Sequence, residues 1–155
     1  MACFTAVAAR ADAPTLKDAY KDDFKIGVAL GGTLPDDYTE NELAVIKANF
    51  NAVTPENCMK PFSLQPEENQ WSFAQADALV EFAEANHMQV TGHNLIWHEQ
   101  TPAWFFDDNG KHASRDKLLE RMKTHIQTVV GRYKGRIHGW DVVNEAVAEG
   151  GSGDL

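Results

Sequence analysis

Arg136-Ile137-His138-Gly139-Trp140-Asp141-Val142-Val143-Asn144-Glu145-Ala146 is a mostly apolar run that ends abruptly in an amide and a carboxylate. A buried strand that delivers polar side chains to the rim of a core has this pattern. Working back from it, Arg115 to Tyr133 reads as a helix capped by Ser114 and closed by Gly135. Its apolar stripe is Leu118, Leu119, Met122, Ile126, Val129 and Val130. Met88-Gln89-Val90-Thr91-Gly92 is a strand, preceded by a helical period through Phe73, Ala76, Leu79, Val80 and Ala83. Phe50 to Thr54 and Phe24 to Leu30 are two further strands. Thr39 with Glu42 three positions later is a capping box for a helix reaching Ala48. Leu16 to Asp23 reads as a short helix, whereas Pro61 to Gln70 and His93 to Trp104 read as loops.

Four strands therefore alternate with helices of crossover length, which implies an α/β fold with parallel strands. Two architectures fit: an open doubly wound sheet, or part of a (β/α)8 TIM barrel. No Gly-x-Gly-x-x-Gly follows the first strand, because Gly27 and Gly31-Gly32 are wrongly spaced, so a dinucleotide site is not expected. A barrel of this type takes about 250 residues, so four strands supply half of one.

The chain of 155 residues suits one modest domain, and 43% hydrophobic residues can fill a core. A net charge of -9, from 14 basic and 23 acidic residues, disfavours nucleic acid and anionic membranes as partners. It says little about neutral polysaccharides. No apolar stretch reaches transmembrane length. Cys3 and Cys58 form no CxxC pattern, and Cys58 reads as a buried thiol. Residues 1–15 are alanine-rich, with Ala11-Asp12-Ala13 placed like a cleavage site but no basic residue before the apolar core. A signal-peptide remnant and a frayed leader both fit. The tail Gly150 to Asp154 has little ordering propensity.

The chemically interesting residues follow strand ends, where α/β active sites collect. Glu145 is the acid/base candidate, because an apolar strand could desolvate it and raise its pKa. A rim salt bridge is the competing reading. Asn144 can both donate to and accept from a sugar hydroxyl, or tie down the loop. Glu56 could accept from two adjacent hydroxyls, with Asn57 and Lys60 positioning the same ligand. A plain Glu56–Lys60 ion pair is the alternative. His93, Trp97 and His98 suit a sugar-binding rim, with the indole under a pyranose. They lack a zinc-site pattern, and His98-Glu99 is no His-Glu-x-x-His. Trp104, Phe105 and Phe106 read as loop anchors, and Trp71 and Trp140 as structural. His87, His112, His125 and His138 read as surface or packing groups.

Four segments together resemble glycoside hydrolase family 10, the endo-β-1,4-xylanases. They are Thr54-Pro55-Glu56-Asn57-Cys58-Met59-Lys60-Pro61, Gly92-His93-Asn94-Leu95-Ile96-Trp97-His98, Thr101-Pro102-Ala103-Trp104 and Gly139 to Ala146. The resemblance covers residues 16–155 and implies the N-terminal half of a retaining (β/α)8 xylanase, secreted or periplasmic, that needs no cofactor and no metal. It implies Glu145 as acid/base and Asn144 as its substrate-binding neighbour. Glu56, Asn57, Lys60, His93 and Trp97 match glycone-subsite residues, and His98 takes a supporting place. In that family the nucleophilic Glu lies on the seventh strand, and no residue of this chain matches it. The implied partners are xylan or xylo-oligosaccharides and the C-terminal half of the barrel.

Overall fold

The computed structural model describes residues 14–147. Residues 1–13 of the expected leader, Cys3 among them, and the Gly150–Asp154 tail lie outside the described residues, whereas Thr15, the leader's last residue, is the N-cap of the first helix. In chain order the elements are α1 (Leu16–Ala19), β1 (Gly27–Leu30), α2 (Glu40–Asn49), β2 (Ala52–Pro55), α3 (Pro61–Leu64), α4 (Ala74–Ala85) and β3 (Gln89–Trp97). A 3-10 turn at Ala103–Phe105, a small hairpin of β4 (Asp107–Asp108) and β5 (Lys111–His112), α5 (Arg115–Arg132) and β6 (Gly139–Asn144) follow.

The main sheet has the order β1-β2-β3-β6, and every pair is parallel. Spatial order follows chain order without reversal. A doubly wound sheet reverses its winding, so the structure favours the winding that a barrel uses. Helices α2, α4 and α5 fill the crossovers. The capping box forms as expected: the Thr39 hydroxyl accepts from Glu42 N–H, and the Glu42 carboxylate accepts from Thr39 N–H at 2.8 Å. The Ser114 hydroxyl accepts from Lys117 N–H and caps α5.

Between sheet and helices lies one core. Val53 and Val90 from the central strands meet Ala76, Leu79, Val80 and Ala83 from α4 and Val129 and Tyr133 from the end of α5. Each fully buried aliphatic side chain of this kind contributes about 1.5–3 kcal/mol. Gly92 is required by a close approach, because a Cβ there would overlap the Trp140 indole. Trp140 and Trp71 both pack on this core, as expected of structural residues.

Several boundaries differ from the sequence reading. β3 continues through His93 to Trp97, where a loop was expected, because β6 pairs with it as far as Trp97↔Asn144. The register shifts between His93 and Ile96, and Asn94 and Leu95 are both buried there. That irregularity erases the period-two alternation that marks a strand. α3 occupies part of the expected Pro61–Gln70 loop, with Pro61 at a position where no helical N–H is needed. β6 starts at Gly139 rather than Arg136, because Arg136 and Ile137 N–H groups turn back to the Tyr133 carbonyl. It is also an exposed strand, not a buried one, with Val142 at 55% and Val143 at 52% exposure. It is the last strand of the sheet, and no described strand covers its outer side.

Candidate active site

Because the four strands are parallel, their C-terminal ends share one rim. Glu56 follows β2, Asn144 ends β6, Glu145 follows it, Trp97 ends β3 and His93 sits at the middle of β3. Side chains join these positions. Trp97 Nε1–H donates to Glu145 Oε2 at 2.8 Å. The Lys60 ammonium stands 4.9 Å over the Trp97 ring, and Lys60 Nζ donates to Asn57 Oδ1 at 3.0 Å. One connected path, Asn57–Lys60–Trp97–Glu145, thus crosses the rim. The Glu56–Lys60 ion pair of the alternative reading does not form. Lys60 is buried and takes the Asn57 amide and the indole face instead.

Trp97 is 8% exposed, carries Lys60 over its ring and holds the Glu145 carboxylate through its indole N–H. Glu145 leaves the strand at φ 50°, in the left-handed region that non-glycine residues seldom occupy. Such a conformation costs about 1–3 kcal/mol and collects at functional sites. Glu145 itself is exposed, so the desolvation expected of its strand is not supplied by the described residues.

Asp141, which the sequence reading did not single out, lies opposite His93 in the ladder. Its Oδ2 is 2.8 Å from His93 Nδ1. A carboxylate accepts only, so Nδ1 carries the hydrogen in the neutral ring and Nε2 is left as the acceptor. The sequence sets Glu99 aside because His98-Glu99 does not make a zinc motif. Ligand atoms of His98, Glu99 and Glu145 lie within 4.8 Å of one another, and all three residues are exposed. The His98–Glu99 contact is a loose 4.0 Å. Asn144 lies in register with Trp97 and lines a mainly apolar cavity of about 510 Å³ with Glu145, Trp97, His98 and Met122.

Around the rim, burial pushes the Cys58 thiol up to about 11, so this free cysteine is a packing group rather than a nucleophile. Burial, then the charge of Glu56, raises the Tyr38 phenol. Trp104 donates to the Gln65 carbonyl and Phe105 is buried, so both anchor the loop. Phe106 is exposed. Among the described residues no helix is long and apolar enough to cross a membrane.

Residues 15–154 match the sequence model of glycosyl hydrolase family 10. Endo-1,4-beta-xylanase A of Caldicellulosiruptor sp. (strain Rt8B.4) is 50% identical over 143 residues, covering 88% of this chain and 21% of that protein. A GH10 endoxylanase retrieved from sugarcane soil metagenome superposes with a TM-score of 0.80 at 47% identity, over 86% of this chain and 39% of that one. Xylanase XynB from Paenibacillus barcinonensis, solved with a conduramine derivative, gives 0.81 at 44% identity, over 91% and 42%. The chain thus spans less than half the length of each of these relatives. On the match over residues 15–154 and these likenesses, the chain belongs to glycosyl hydrolase family 10.

Proposed function

We propose that this chain carries the acid/base half of an endo-1,4-β-xylanase site and hydrolyses internal xylosidic bonds when the remaining strands of a (β/α)8 barrel complete it. The observation that carries this reading is the Trp97–Glu145 hydrogen bond, which fixes a carboxylate on the rim shared by the Glu56, Asn57 and Lys60 cluster. The relatives' names supply the substrate class.

In this reading Glu145 donates its proton to the glycosidic oxygen as the C1–O bond breaks. A second carboxylate, outside the residues of this chain, attacks C1 and holds the glycosyl group. Glu145, now ionised, takes a proton from water as that water attacks C1 and frees the carboxylate, with the configuration retained. Trp97 steadies the ionised form by donating to it. Glu56, Asn57, Lys60, His93 and Asn144 hold glycone hydroxyls, and His98 supports the acid/base side. Xylan is too large to cross a cell membrane intact, so a secreted or periplasmic location goes with this reading.

A second reading concerns the chain by itself: a half-site that binds xylan without cleaving it. The exposure of Glu145 and of β6 favours it. Xylan hydrolysis should be measured with this chain alone, with a separately made C-terminal half, and with both. Activity is expected only with both, and Glu145→Gln should lower it by at least about a hundredfold, the order of a lost general acid. Full activity of Glu145→Gln on unactivated xylan overturns the acid/base assignment. Glu99 is a near carboxylate, within the 4.8 Å cluster. Hydrolysis by the chain alone that Glu99→Gln abolishes would overturn the placing of the nucleophile elsewhere.

A further inference from the structure

The end of β1 holds a feature that the proposed reaction does not use. The Glu56 carboxylate lies in the space where residue 31 would carry its side chain. An ideal Cβ on Gly31 would sit 2.5 Å from Glu56 Oε2, 3.6 Å from Glu56 Cδ and 3.9 Å from Glu56 Cβ. All three of its nearest heavy atoms belong to Glu56. Two hydrogen bonds hold the walls of this slot. Tyr38 O–H donates to the Gly31 carbonyl at 2.8 Å, and Glu56 N–H donates to the Leu30 carbonyl at 2.8 Å. The backbone on both sides of the contact is therefore fixed, and the Glu56 side chain is the part free to move. Gly31 has no positive φ, unlike Gly32 at 64°, so torsional freedom does not explain the glycine. The missing methyl group does.

We propose that Gly31 is a positioning residue for Glu56: its bare backbone forms a slot that sets the direction of the carboxylate, and so decides which glycone hydroxyls Glu56 can accept from. This rests on the reading of Glu56 as a sugar-binding residue. Lys60 does not hold Glu56, since it is committed to Asn57 and the Trp97 ring. Glu56 is itself exposed, so it is the room beside Gly31, rather than burial or an ion pair, that this carboxylate occupies. A methyl group at position 31 displaces it from its resting direction without touching Glu145, Trp97 or His93.

The test is a double-mutant cycle in the full-length protein, with xylotriose as substrate, using Gly31→Ala, Glu56→Ala and the double variant. Gly31→Ala is expected to lower kcat/KM about tenfold, the factor for one weakened hydrogen bond to a charged group, mainly through KM. The double variant should lose no more than Glu56→Ala alone. An equal Gly31→Ala loss in both backgrounds overturns the proposal, as does wild-type kcat/KM for Gly31→Ala beside an impaired Glu56→Ala. Wild-type behaviour of Glu56→Ala instead overturns the sugar-binding reading of Glu56. Thermal unfolding guards against misfolding: should Gly31→Ala unfold, Glu56→Ala must restore it, since the one overlap shorter than 3.0 Å is with Glu56 Oε2. Failure to restore overturns the slot.

Discussion

At the scale of single residues, the legible site positions were those that interrupt an apolar pattern. Glu145 ends an apolar run, and Glu56, Asn57 and Lys60 follow a strand, so each stood out in the sequence. Asp141 did not, because it sits inside the run Trp140-Asp141-Val142-Val143 and its partner His93 is 48 residues away. Only the ladder brings them face to face. The pair has a consequence for binding. If Asp141 fixes the hydrogen on Nδ1, His93 presents Nε2 as an acceptor for a hydroxyl. Asp141→Ala frees the ring to rotate and to change tautomer. In the full-length protein it should lower kcat/KM about tenfold, the order of one charged hydrogen bond. Asp141→Asn, which can still accept from Nδ1, should recover part of that loss. In a His93→Ala background the Asp141→Ala loss should vanish. Persistence of the loss there would place the role of Asp141 elsewhere.

At the scale of elements, α5 shows a helix whose inner face was read in part. Of its apolar stripe, Val129 is buried, Ile126 and Val130 pack against the core, Leu118 and Met122 are half-buried and Leu119 is exposed, but the other fully buried residues are Arg121 and His125. Arg121 is buried because its guanidinium is consumed. It makes a bidentate pair with Glu68 and donates to the Phe105 and Asp107 carbonyls, tying the β3–α5 loop to the helix. Helical periodicity counts apolar residues and is blind to a charge that finds such partners. His125, read as a packing group, is fully buried between Trp71 and Phe105, with Nδ1 2.9 Å from Gln65 Oε1 and Nε2 without a partner among the described residues. Burial lowers its pKa from 6.5 to about 4. The unfolded chain therefore takes up the proton first as the pH falls, and stability drains away from about pH 6.5 down to 4. Urea unfolding should show a loss of roughly 2–3 kcal/mol between about pH 7 and pH 4.5 from this group. His125→Phe should flatten that slope, and an unchanged slope would assign the acid sensitivity to other groups.

At the scale of the whole molecule, the parallel winding was legible because helices of crossover length leave few alternatives, whereas periodicity left open sheet and barrel segment side by side; the family resemblance pointed to the barrel, and the strand order agrees with it. Among the described residues that order leaves two edges without a partner strand, β1 on one side and β6 on the other. Each edge lies beside an apolar hollow. Val28, Leu30, Val45 and Ile46 line the one at β1, and Leu118, Met122, Phe105 and Val143 line the one at β6. The outer part of the α5 stripe faces the second hollow, which explains why Leu118 and Met122 are only half-buried although their spacing marks them as core. An unpaired parallel edge flanked by exposed valines is a template for further strands. The 155-residue chain made by itself should therefore associate at micromolar concentration. Sedimentation velocity should detect species heavier than a 17.2 kDa monomer. Val142→Lys puts a charge on the exposed edge strand and should shift the material to monomer, because a strand docking there would bury that ammonium without a partner. If β6 is instead the edge that the other barrel half covers, the same substitution should also weaken complementation of xylan hydrolysis by that half. A variant that stays monomeric yet complements fully would separate the two surfaces and place the barrel contact away from Val142.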